Sequence, residues 1–163
     1  MIKIRAQIRR GEFDCIGVKE LQGFFQRYLS LYRPLITKLN ELLSSHQLSY
    51  SLWQVIFYIK NNGPSTLVDI STYYQVEKPT ITRRVHRLEE LQIVKQIPGR
   101  DRREKVIQLT ESGEEIYQEI RKRITDLEHR VLDGIAEEEQ KVMFQTLPKI
   151  KDNILKQEGI KSE

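Results

Sequence analysis

The sequence predicts a mainly α-helical fold with a small β-hairpin wing: a winged helix-turn-helix flanked by amino- and carboxyl-terminal dimerisation helices. Three observations lead there. Long flanking segments repeat apolar residues at helical spacing, as in Leu21, Phe25, Tyr28, Tyr32, Leu35, Leu39 and Leu42. In the centre, two short amphipathic segments are joined across Gln75-Val76. Directly after them come two apolar β-like stretches, residues 93–97 and 105–109, around Pro98-Gly99-Arg100-Asp101-Arg102-Arg103.

Residues 1–17 are a basic extension in which Ile2, Ile4, Ala6 and Ile8 alternate with Lys3, Arg5, Gln7 and Arg9, a strand pattern. No apolar run follows these charges, so a secretory leader is not expected. Residues 18–48 form the first dimerisation region. Its apolar surface, widened by Leu29, Ile36 and Leu43, is too broad for one neighbour, and Pro34 should kink or break it near Tyr32.

The winged helix-turn-helix lobe spans residues 49–109. A helix from Ser49 to about Lys60 buries Leu52, Val55, Ile56 and Ile59, with Trp53 and Phe57 beside them. Asn61-Asn62-Gly63-Pro64 stops it, and Ser65 is a suitable cap for the next helix, which carries Leu67, Ile70 and Tyr74 inward. Val76 plugs the turn into the core. The helix that follows places Ile81, Val85 and Leu88 on one stripe and Pro79, Arg83, His86, Arg87 and Glu90 opposite, with Thr80 and Thr82 on the shoulders. A small, polar, cationic face of this kind fits a DNA major groove, where arginine reads guanine bidentately. The cationic hairpin tip then suits a minor groove.

Residues 110–163 supply the second dimerisation region. Thr110 caps a helix to about Leu132 with Ile116, Ile120, Ile124, Leu127 and Val131 as its stripe, and Arg121-Lys122-Arg123 reads as solvated surface. After Gly134 a last helix from about Glu137 carries Met143, Leu147, Ile150 and Ile154, bent at Pro148. A small winged helix cannot cover both stripes, so a two-fold homodimer is expected, with a palindromic site read by paired recognition helices. All four regions belong to one compact domain, a reasonable reading at 163 residues.

Charge is laid out to match. Of 27 basic and 23 acidic residues, residues 77–105 hold nine and five, while residues 106–163 hold nine and thirteen. A basic centre beside an acidic end favours a polyanion at the former only. The single Cys15 fits a reducing cytoplasm, and no stretch suggests a membrane span. His46, His86 and His129 are scattered, without metal spacing or a phosphate loop, so neither enzyme activity nor a cofactor is expected.

Asp101-Arg102-Arg103, then Val106-Ile107-Gln108-Leu109-Thr110-Glu111-Ser112-Gly113, resembles the wing of the MarR family of bacterial transcription regulators. Lys78-Pro79-Thr80-Ile81-Thr82-Arg83-Arg84-Val85-His86-Arg87-Leu88-Glu89 looks like its recognition helix, and the likeness covers residues 48–113. Two positions depart from the pattern: Glu77 stands where the family has Ser, and Gln92 where it has Gly. The resemblance implies a sequence-specific regulator, more a repressor than an activator. Base contacts fall to Pro79, Thr80 and Arg83, and backbone contacts to Lys78, Thr82, Arg84, Arg87, Arg100, Arg102 and Lys105. Arg103 would enter the minor groove, with Asp101 orienting the wing arginines. It also implies a small aromatic or anionic effector in a cleft, for which Tyr28, Tyr32, Arg33 and Trp53 are candidates, or redox sensing through Cys15. A dimeric protein-interaction module that does not bind DNA is the rival from another class.

Overall fold

A computed structural model describes residues 23–99 and 105–158. The chain runs α1 (Phe24–Leu43), a 3-10 turn (Ser44–His46), α2 (Tyr50–Asn62), β1 (Ser65–Thr66), α3 (Leu67–Tyr74), α4 (Lys78–Glu90), β2 (Val94–Pro98), β3 (Lys105–Leu109), α5 (Glu111–Val131) and α6 (Glu137–Glu158). The basic extension, including its strand pattern, lies outside the described residues, as does Cys15.

The core is centred on residues 49–109 and is joined by Leu43 of α1 and Ile120 of α5. Ile56, Ile70, Ile81, Leu88, Ile93, Ile107 and Ile120 are fully buried, so α2, α3, α4, the sheet and α5 close around one apolar centre. Trp53 stacks on Tyr117 of α5, with ring centroids 5.3 Å apart and planes 12° from parallel. Lys60 of α2 pairs with Glu114 at 2.5 Å. Half-buried Val76 packs against this core, as expected.

The wing is an antiparallel sheet of three strands, not a hairpin of two, in the order β1-β3-β2. Ser65 faces Ile107, and β2 and β3 pair from Val94–Leu109 to Pro98–Lys105. Pro98 therefore ends a strand instead of turning the chain. Ser65 does not cap α3 as expected, because strand pairing claims it and its hydroxyl donates to the Gly63 carbonyl at 2.8 Å. Thr66 is the cap, in a reciprocal box with Asp69. Ser49 and Thr110 cap α2 and α5.

Two expectations for the flanks change. Pro34 does not break α1, which runs through it. Proline there removes the hydrogen bond to the Ser30 carbonyl, and both residues are exposed, so that carbonyl is not stranded in the core. The inward line of α5 is Gly113, Tyr117, Ile120 and Ile124, with Ile116 partly buried and Val131 exposed. Among the described residues, α6 buries no side chain, and no helix is long and apolar enough to cross a membrane.

Candidate nucleic-acid interface

α4 is fixed from below by Ile81, Val85 and Leu88, each 2% exposed or less. Burying that stripe turns Lys78, Pro79, Thr82, Arg83, His86, Arg87 and Glu90 outward, with Thr80 and Arg84 half-buried on the flanks. The start is clean: Glu77 is the N-cap residue but makes no side-chain cap bond, and proline occupies the first turn, where its missing N–H has no helical partner to lose. The Thr80 amide donates to the Glu77 carbonyl at 2.9 Å, and the positive end of the helix dipole there favours anions.

The side chains on this face are held to different degrees. The Thr82 hydroxyl donates to the Lys78 carbonyl at 2.9 Å and keeps its oxygen lone pairs free to accept. Arg87 donates to Glu90 at 2.7 Å and to Gln47 at 3.3 Å, pinning the end of α4 to the turn after α1. The Arg87 hydrogen bond holds the Glu90 carboxyl below the usual carboxylate range. Arg83 projects from the centre of the exposed face.

Lys105 stands exposed at the last β2–β3 pair, where the wing loop leaves the sheet. Arg100, Asp101, Arg102 and Arg103 lie outside the described residues. Gln92 resolves the departure at the entrance to the wing. It adopts φ 59°, the left-handed conformation that glycine takes readily, so the backbone turn is kept without glycine. The wing is then locked to α5 at Ile93. Thr110 donates its backbone N–H to the Ile93 carbonyl at 3.0 Å and its hydroxyl to the Gln92 carbonyl at 2.7 Å.

Behind the helix-turn-helix lies a cleft of about 1070 Å³ between α1, α2, α3 and the α5–α6 corner. Trp53, Tyr50, Phe57, Tyr73, Tyr74 and Phe144 give it aromatic walls, and Arg121, Glu128 and His129 stand among its polar groups. Arg121 is paired with Glu128 at 3.1 Å, so the reading of this run as merely solvated holds only in part. Of the four ligand candidates, Trp53 lines the cleft. Tyr28, Tyr32 and Arg33 do not; they lie on the exposed amino-terminal half of α1, where Tyr28 stacks with Phe24 and Tyr32. Tyr50, Tyr73 and Tyr74 were missed because their helices read equally well as packing surfaces.

Tyr74 donates its hydroxyl to the Gln54 carbonyl at 2.8 Å. Burial pushes its phenol well above the ordinary value of 10.0, and neighbouring Tyr73 adds to the rise. A raised folded-state value means that this contribution to stability is complete below pH 10 and is lost as pH rises through the folded value. Tyr74→Phe is expected to cost about 1 kcal/mol at pH 8, from the lost hydrogen bond. It should also lose less stability than the wild type between pH 9 and about 11, as urea midpoints would show.

A family model described as the MarR family matches residues 46–104. An uncharacterized HTH-type transcriptional regulator of Bacillus subtilis, YwoH, is 36% identical over 108 residues, which cover 66% of this chain and 79% of that protein. The chain belongs to the MarR family. It is a DNA-binding transcription regulator of the winged helix-turn-helix type. The HTH-type regulator BilQ of Clostridioides difficile is 27% identical over 68% of this chain and 75% of its own length. A MarR structure from Staphylococcus aureus, in complex with salicylate and kanamycin, superposes with a TM-score of 0.77 at 25% identity over 85% of this chain and 95% of that one. In this MarR-family chain, the helix carrying Arg83 is the second helix of the helix-turn-helix.

Proposed function

We propose that this regulator is a cytoplasmic repressor that binds a palindromic operator as a homodimer and responds to a small aromatic or anionic ligand. The observation that carries the DNA geometry is the outward face of α4, where Pro79 and Arg83 stand above a fully buried stripe with Thr80 on the flank. Small residues let the helix enter the major groove, and Arg83 then reaches a base edge. Thr82, Arg84, Arg87, Arg100 and Lys105 take phosphates, with Lys78 and Arg102 on the backbone nearby. Arg103 enters the minor groove, and Asp101 orients the wing arginines.

Occupying a site that overlaps a promoter is enough to repress, and it requires no surface beyond these. The aromatic walls of the cleft support the ligand reading, as does salicylate in the S. aureus relative. Such a ligand would lie between the dimerisation helices and the lobe, where it can favour one arrangement of the two.

Arg83→Ala is expected to weaken one operator position selectively, by about 1–3 kcal/mol. Arg102→Ala should weaken binding to every sequence alike and flatten the salt slope. Affinities of both variants for operator and random duplexes at two salt concentrations check this. Equal losses on all sequences would refute the division of roles, and salt-independent weak binding by the wild type would favour a protein-interaction module.

A further inference from the structure

Three arginines lie on α4, and only Arg84 is half-buried; Arg83 and Arg87 are exposed. Arg84 Nη1 donates toward Gln54 Oε1 on α2 at 3.5 Å. Gln54 is itself held in place: its backbone carbonyl accepts the Tyr74 hydroxyl at 2.8 Å, which ties α2 to α3 at this residue. Its side chain also lies beside the Tyr50 hydroxyl and forms part of the cleft wall. One glutamine therefore stands between the cleft and the recognition helix.

We propose that Gln54 is a positioning residue for DNA binding, its amide oxygen orienting the Arg84 guanidinium for a phosphate. This rests on the phosphate contact assigned to Arg84 above. A guanidinium carries five N–H donors, so one engaged by Gln54 leaves the others for phosphate oxygens. A neutral acceptor directs the group without cancelling its charge, whereas a carboxylate in the same place would do both. Orientation matters because a long side chain loses rotamer freedom when it docks, and part of that loss is met in advance when the chain is already held.

The test is a double-mutant cycle on binding to a random-sequence duplex, read as affinity and as its slope with salt. Arg84→Gln should weaken binding about tenfold and reduce the slope by about one phosphate equivalent. Gln54→Leu should weaken binding about three- to tenfold with the slope unchanged, because the charge remains but is less well directed. Gln54→Glu should cost more than Gln54→Leu and reduce the slope by about one, at an unchanged thermal midpoint that excludes a general folding defect. The double variant Gln54→Leu/Arg84→Gln should bind no more weakly than Arg84→Gln alone.

Wild-type affinity in Gln54→Leu, additive losses in the double variant, or a full slope in Gln54→Glu would each overturn the role of Gln54 while leaving the Arg84 contact standing. Wild-type affinity and slope in Arg84→Gln would overturn both.

Discussion

Gly113→Ala is expected to destabilise the fold by about 3 kcal/mol, at the upper end of ordinary overpacking losses. Gly113 lies buried in the first turn of α5, against Ile93 in the link between α4 and β2. A Cβ there would overlap the Ile93 carbonyl oxygen and stand 3.0 Å from its carbon. That carbonyl cannot retreat easily, since it accepts the Thr110 backbone N–H at 3.0 Å and Ile93 is 1% exposed. Relief would have to come from lifting α5 away from the lobe. That would strain the Gly113 N–H bond to the Thr110 hydroxyl, 2.9 Å, and the Trp53–Tyr117 stack one turn along. Gly134 is the control. It has open space around its Cβ position but a φ of 76°, so alanine there meets only backbone strain of about 1 kcal/mol. Thermal midpoints should separate the two, with Gly113→Ala lower by about 6–12 °C and Gly134→Ala by a few degrees. Equal shifts would show that the contact with Ile93 relaxes freely.

The same junction shows what the sequence made legible. Leu109-Thr110-Glu111-Ser112-Gly113 was readable as a strand ending in a capped helix, because a threonine cap and its spacing are local chemistry. The reason for the glycine was not readable, since it comes from a backbone carbonyl twenty residues upstream. Helix α4 was legible for a similar reason: the spacing of Ile81, Val85 and Leu88 fixes which face turns outward. The turns were less so. Gln47, Gln75 and Gln92 all adopt left-handed φ between 52° and 59°, and glutamine carries no propensity that announces it. A strand of two residues such as β1 is too short to show a period of two. Tyr117 was missed because Ile116 beside it fits an α5 stripe almost as well, and only the position of Trp53 decides between them. The cleft was hardest. It is built from five helices, and no single helical face tells which of its aromatic residues will meet those of another.

Replacing Phe25 and Leu29 together with glutamate is expected to yield a monomer with operator affinity reduced at least a hundredfold. The two side chains are one helical turn apart on α1 and are 73% and 52% exposed. On α6, Val142 and Ile154 are 60% and 51% exposed, and among the described residues no side chain of that helix is buried. A chain that folded alone would gain little from keeping α6 ordered, whereas pairing two copies would bury both faces at once. Buried carboxylates without partners oppose such pairing strongly. The size of the DNA effect follows from linkage. In a dimer the second recognition helix is already near its half-site, and this effective concentration adds about 10²–10⁴ to affinity without any new contact. The lobe itself should stay folded, because its core of Ile56, Ile81, Leu88 and Ile107 lies away from these positions. Sedimentation would give the mass, near-ultraviolet dichroism the integrity of the Trp53–Tyr117 stack, and titration of whole and half operators the affinity. A monomer that binds half and whole operators equally well is the expected result. A dimer that survives both glutamates would place the subunit interface elsewhere, and an undiminished operator affinity in a true monomer would refute the need for two paired helices.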